Sequence, residues 1–192
     1  ADVEFHLQAA TKAYYANKWI LNDRSVPVWS RLQFFAAVVS PVACFAGCHR
    51  TTYKDDMTKL DVVFRRLARQ LVGPPSGMDW SQPWHETLHF WHERLNGFLE
   101  GGNVRCWSEV VLRQYWFFAA YVVSLPEDRW VRRVLHWYPA GTKSQGRPRK
   151  AWQDDLVAFC RHNQLGDWMD AARDGRSWGA LVDDFVSFAG QR

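Results

Sequence analysis

The sequence predicts an all-α fold of two packed helical subdomains. Two observations carry this. Apolar residues recur at helical spacing along nearly the whole chain, with no convincing stretch that alternates apolar and polar as a half-buried strand would. The strongest break, Gly73-Pro74-Pro75-Ser76-Gly77, falls between two long helical stretches. The expected division is therefore a subdomain over 1–72, a Gly/Pro linker over 73–83 and a second subdomain over 84–192. With 192 residues, 47% of them hydrophobic, the chain is long and apolar enough for a real core, which excludes disorder throughout. No internal repeat is present.

The elements follow in order. A first helix is expected over 3–21, with Phe5, Ala9, Ala13, Ala16 and Ile20 near one stripe. Asn22-Asp23-Arg24-Ser25 breaks it, and Ser25 then caps a second helix over 25–47, kinked at Pro41. A third helix over 54–72 carries a stripe of Met57, Leu60, Val63, Phe64, Leu67 and Leu71. Asp55 and Asp56 open it and Arg65, Arg66 and Arg69 close it, as the helix dipole prefers. A fourth, over 82–100, has Pro83 in its first turn and Trp84, Leu88, Trp91, Leu95 and Phe98 on its apolar side; Gly101-Gly102-Asn103 ends it. A fifth covers 106–125, and Pro126 opens a sixth to 137. A basic loop over 138–150 follows. Pro148 opens a seventh helix to 163, and short helices over 167–174 and 177–189 finish the chain.

Twelve tryptophans offer large apolar area and faces for stacking on bases or cations; Trp84, Trp91, Trp152 and Trp178 fall on apolar stripes and are expected in the core. Cys44, Cys48, Cys106 and Cys160 form no spaced framework. Cys44 and Cys48 are expected on one helix, so the thiols read as reduced, in an intracellular compartment. The chain opens on Ala1 rather than Met, as a processed chain or a piece of a longer one does. No signal peptide is legible there. The apolar runs 34–48 and 115–125 are short for a span, so a soluble chain is expected and membrane insertion is not.

Two short strings imitate metal sites. His85-Glu86-Thr87-Leu88-His89 has the H-E-x-x-H pattern of zinc peptidases, and Glu109 lies at a plausible distance for a third ligand. On a helix, however, His85, His89 and His92 form a stripe about 100° from the apolar one, a position for border histidines, and Glu86 turns further out. Tyr53-Lys54-Asp55-Asp56 resembles the metal-binding turn of reverse transcriptases. Its flanks are not apolar strands, so Asp55 and Asp56 read as first-turn acids. Asp154-Asp155 and Asp183-Asp184 read likewise as polar faces of helices. No catalytic residue and no cofactor are expected.

The segment from Val26 to Pro75, with Lys59, Leu60, Phe64, Arg66, Arg69 and Gly73 in a "KL…F.R..R…G" pattern, resembles the thumb of non-LTR retrotransposon reverse transcriptases. Downstream, "GRPRKAWQDDL" (146–156) and a spaced "W…A.D…W..L…F" resemble the C-terminal tail of the same elements, of the type found in dinoflagellates. The resemblance covers nearly the whole chain. It implies a thumb-like helical bundle followed by a C-terminal helical bundle, with the catalytic palm and fingers outside these residues. Nucleic-acid contact is then expected from Lys59, Arg65, Arg66 and Arg69 on the thumb helix.

A second basic run holds Arg129, Arg132, Arg133, Lys143, Arg147, Arg149 and Lys150 with no acid between them, seven charges against a net of +4 for the chain. Clustered charge of this kind attracts phosphates. Gly146-Arg147-Pro148-Arg149-Lys150 also resembles the core of an AT-hook. Three functions are thus open: a non-catalytic nucleic-acid-binding end of a retroelement polymerase, meeting RNA or DNA backbone and an upstream palm; a retroelement fragment adopted as a structural subunit of a host complex; and a zinc hydrolase. The first implies a nuclear or cytoplasmic location, the second an organellar one.

Overall fold

The computed structural model describes residues 2–74, 81, 83–135 and 150–191. Most of the expected linker and residues 138–149 of the basic loop, with Lys143, Arg147, Arg149 and the helix start at Pro148, lie outside them. Among the described residues the fold is all-α. It comprises α1 (Asp2–Ala16), α2 (Lys18–Leu21), α3 (Val28–Val38), α4 (Ser40–Ala43), a 3-10 turn (Gly47–His49), α5 (Lys54–Val72), α6 (Trp84–Gly101), α7 (Trp107–Ser124), α8 (Trp130–Leu135), α9 (Asp154–His162), α10 (Trp168–Arg173), α11 (Gly175–Ala180) and α12 (Val182–Gln191).

The long amphipathic helices sit where periodicity places them, and the differences have local causes. The first expected helix is divided at Asn17, whose side-chain amide donates to the Ala13 carbonyl (2.8 Å) and competes with the helix ladder. Its buried stripe is Val3, Leu7, Ala10 and Tyr14 rather than the alanine-rich one; Phe5 is 66% exposed. The second helix starts after Pro27, because the Ser25 backbone N–H and hydroxyl both donate to Asp23 instead of capping (2.9 and 2.8 Å). It stops at Val38; Pro41 opens α4, and Ala46 takes a left-handed conformation (φ 53°). Cys44 and Cys48 therefore do not share a helix, and all four cysteines are free. The run Val28–His49 is long and apolar enough to cross a membrane by composition; its Leu32, Phe35, Val39 and Ala43 are buried core residues. In α9, the Asp154 carboxylate accepts from the Ala151 backbone N–H (2.8 Å) and sets the start.

The described residues gather into two compact units, residues 1–45 with 55–110 and residues 46–54 with 111–192, a division that does not follow the expected 73–83 boundary. The reason lies in the start of α7. Trp107 is fully buried, stacks on Phe35 (6.0 Å, 13°), meets Phe64 edge-on (5.7 Å) and donates its indole N–H to Ser40 Oγ (2.9 Å). Asp61 of α5 accepts the Ser108 backbone N–H (3.0 Å) and hydroxyl (2.6 Å) in the first turn of α7. A Gly/Pro cluster ends a helix, but long-range contacts decide which helices pack together.

In the first unit, Arg31 is only 5% exposed and is held by three backbone carbonyls. Nε donates to Val26 (3.0 Å), and Nη1 donates to Leu21 (3.1 Å) and Leu71 (2.6 Å), at the C-terminal ends of α2 and α5. Those carbonyls have no partner within their helices and carry the negative end of the dipole, so one guanidinium satisfies both. Beside it Tyr14 is fully buried and donates to Asn22 Oδ1 (2.9 Å); burial pushes its pKa up to about 12.

The second unit is built around a tryptophan pair. Trp116 and Trp178 stack face to face (3.6 Å, 0°), and each indole N–H donates to the other's backbone carbonyl (2.9 and 3.0 Å). Phe159 and Phe185 close round Trp116 (5.2 and 4.5 Å), with Tyr115 stacked on Phe185 (5.8 Å).

Arg31→Ala should lower the unfolding free energy by about 2–4 kcal/mol in a urea titration, because it strands helix-end carbonyls inside the protein. Trp116→Phe and Trp178→Phe should each cost roughly 1–3 kcal/mol. The double variant should cost clearly less than their sum, since either change breaks the same reciprocal arrangement.

Candidate nucleic-acid interface

The C-terminal half of α5 carries three arginines that its apolar stripe pushes to the sides: Arg65, Arg66 and Arg69. Two are fixed against α6. Arg65 Nη1 donates to Asn96 Oδ1 (3.0 Å), and Arg69 Nη1 donates to His92 Nε2 (3.1 Å). Arg69 Nε also donates to the Arg65 carbonyl (3.3 Å). Residues one turn apart on α5 thus meet residues one turn apart on α6, forming two rungs. Every acceptor in these rungs is neutral. Among the described residues no carboxylate pairs with either guanidinium, and Arg66 stands exposed beside them.

His92 registers that charge. Arginine has no acceptor, so the imidazole must offer an unprotonated Nε2 to Arg69. Its pKa lies below the ordinary 6.5, first because of burial, then because of Arg69 and Arg65. The periodicity marked His92 only as a border histidine and did not mark Asn96. The signal was their i, i+4 spacing on the helix that pairs with Arg65 and Arg69.

The other candidate cations are differently engaged. Lys59 pairs with Glu4 (3.4 Å) and sits near Asp56 (3.9 Å), so acids balance it. Arg132 turns inward, Nη1 donating to the carbonyls of Val123 (2.7 Å) and Leu125 (2.9 Å), with Glu127 at 3.8 Å. Its neighbours on the same segment, Arg129 and Arg133, are exposed. Lys150 pairs with Asp155 (2.6 Å) and donates to the Thr52 carbonyl (2.6 Å), while the Thr52 hydroxyl donates to Asp155. Asp155 is only 5% exposed, which corrects its reading as a polar-face residue: it sits next to the buried Leu156, about 100° round α9 from the exposed Asp154.

The zinc-like residues do not converge. His85 (81% exposed side chain) lies 3.8 Å from Glu86, and His89 (72%) lies 3.8 Å from Glu93. Glu109 is taken by Arg105 (3.0 Å). Among the described residues no three His, Cys, Asp or Glu side chains are grouped to hold a metal ion. Asp55 and Asp56 stand in the first turn of α5, and Asp183 pairs with Arg113. Burial raises the thiol pKa of Cys48, Cys106 and Cys160, the last to about 11, which keeps them protonated at neutral pH.

The tryptophans divide. Trp107, Trp116, Trp168 and Trp178 are buried, and Trp152 is half-buried with its indole N–H on the Cys48 carbonyl (2.9 Å). Trp91 is half-buried, whereas Trp84 (63% exposed) is not a core residue: it opens α6, and the buried side of that helix runs through Thr87, Leu95 and Leu99. No family model, no curated protein and no solved structure matches the chain.

The folded state favours neutral His92, so the unfolded chain binds more protons just below pH 6.5. Stability from this group should be complete above that pH and be lost as pH falls through the depressed folded value. Urea midpoints measured from pH 8 to pH 5 should show the decline, and His92→Gln, which keeps an acceptor but cannot titrate, should flatten it.

Proposed function

We propose that this chain is the non-catalytic, nucleic-acid-binding C-terminal portion of a retroelement reverse transcriptase, with a thumb-like bundle over 1–72 and a C-terminal bundle over 84–192. The observation that carries the reading is the arginine ladder of α5, charged yet tied only to neutral acceptors. Side chains already ordered lose little freedom on meeting a phosphate, and guanidinium geometry suits phosphate oxygens. Contacts of this kind hold the backbone of RNA or DNA in register without reading its sequence. In this reading the polymerase chemistry belongs to an upstream palm and the location is nuclear or cytoplasmic.

A second reading, adoption as a structural subunit of a host complex, draws support from large exposed side chains: Phe5 (66%), Trp19 (75%), Phe45 (66%) and Phe90 (54%). It places the chain with protein partners, in an organelle.

Binding to a labelled duplex, followed across salt concentration, separates the two. The log of affinity should fall against log salt by about 0.9 for each phosphate neutralised. Arg65→Gln, Arg66→Gln and Arg69→Gln together should reduce that slope by roughly two to three while circular dichroism stays helical. Salt-independent binding, or isolation in a stable complex devoid of nucleic acid, favours the structural subunit.

A further inference from the structure

A cavity of about 470 Å³ opens in the second unit, and no expectation from the sequence concerns it. Its size is that of small-ligand pockets, roughly 300–1,000 Å³. Phe118 and Val122 of α7 line one side, Trp130 and Val134 of α8 another, and Trp152 and His49 complete it. The aromatic walls are fixed. Trp152 is held by its bond to the Cys48 carbonyl (2.9 Å) and packs edge-on against Tyr115 (4.8 Å) and Phe118 (5.9 Å, 88°). The His49 ring meets Phe118 at 4.5 Å and 89°.

The α8 side is different in kind. Trp130 is 74% exposed and no residue of α8 is fully buried; Leu135 at its end packs on the core, while Trp130 at its start does not. Arg132 fastens α8 to the end of α7 through two carbonyls and engages Glu127, while Arg129 and Arg133 remain exposed at the same helix. One short segment therefore offers an aromatic ring that lines a cavity, with exposed cations at the residue before that ring and three residues after it. An uncharged apolar ligand has no need of those cations, and a duplex has no free base to insert. A nucleotide of a single strand needs both: a face to stack on and charge for its phosphates. His49 and Gln153 supply polar groups at the cavity for a base edge.

We infer that the cavity beneath Trp130 is a stacking site for an unpaired base of single-stranded nucleic acid, with Arg129 and Arg133 receiving the flanking phosphates. The inference rests on the nucleic-acid reading above and adds a preference for single strands. The full chain is titrated by fluorescence anisotropy against an oligothymidylate and against a duplex of equal length. The strand should bind more tightly. Trp130→Ala, a change at an exposed position, should weaken the strand about tenfold and leave the duplex unchanged. A strand with abasic sites should lose the same factor, with no further loss in the variant. Arg129→Gln and Arg133→Gln should each lower the salt slope for the strand by about 0.7. Equal strand affinity with and without Trp130, undiminished binding of the abasic strand, or a neutral apolar dye that fills the cavity and is not displaced by the strand would overturn the site. Duplex binding without strand preference sinks the cavity alone; no binding of either sinks the nucleic-acid reading with it.

Discussion

A helix that ends inside a protein leaves its last carbonyls without partners, and a chain of many short helices meets that problem repeatedly. Arg31 answers it in the first unit. Its guanidinium is buried at a cost in desolvation, visible as a lowered pKa, and that cost is offset by bonds to the ends of α2 and α5 and to the loop between α2 and α3. The charge is also the right sign for two helix C-termini. Tyr14, Leu32, Phe35 and Phe64 form the buried core of the same unit.

The second unit ties its elements together with indoles instead. Trp116 and Trp178 exchange bonds to each other's carbonyls, Trp152 reaches the Cys48 carbonyl, and the Tyr115 hydroxyl donates to the Trp152 carbonyl. Tryptophan suits the task because one side chain supplies a large apolar face and a single N–H donor. The high tryptophan content thus has a structural explanation for the buried members. Trp130 and Trp19 lie outside it, since neither is buried.

Cations divide along the same line. Arg31, Arg132 and Lys150 are directed at backbone carbonyls or a buried carboxylate, and their charge serves the fold. Arg65 and Arg69 are held just as firmly, but by an amide and an imidazole, so their charge remains available outside. In the basic run the periodicity treats Arg129, Arg132 and Arg133 alike. In the fold, one is a tether and two face solvent, because a helix turns successive side chains by about 100°.

Local physics made much of this molecule legible in one dimension. Hydrophobic spacing, first-turn acids, proline starts and glycine stops depend on neighbours within a turn or two, so the all-α class and the span of α5, α6 and α7 could be read directly. So could the first-turn place of Asp55 and Asp56, whereas His85 and His89, expected at the border of the core, are largely exposed. What spacing could not supply was anything resting on residues far apart in the chain. Trp107 joins the first unit because Phe35, Phe64 and Ser40 surround it, Asp155 is buried because Lys150 and Thr52 neutralise and bond it, and Arg65 is held by a neutral acceptor because the side chain opposite happens to be Asn96. Partner choice across tens of residues is decided by packing, and packing exists only once the chain is folded.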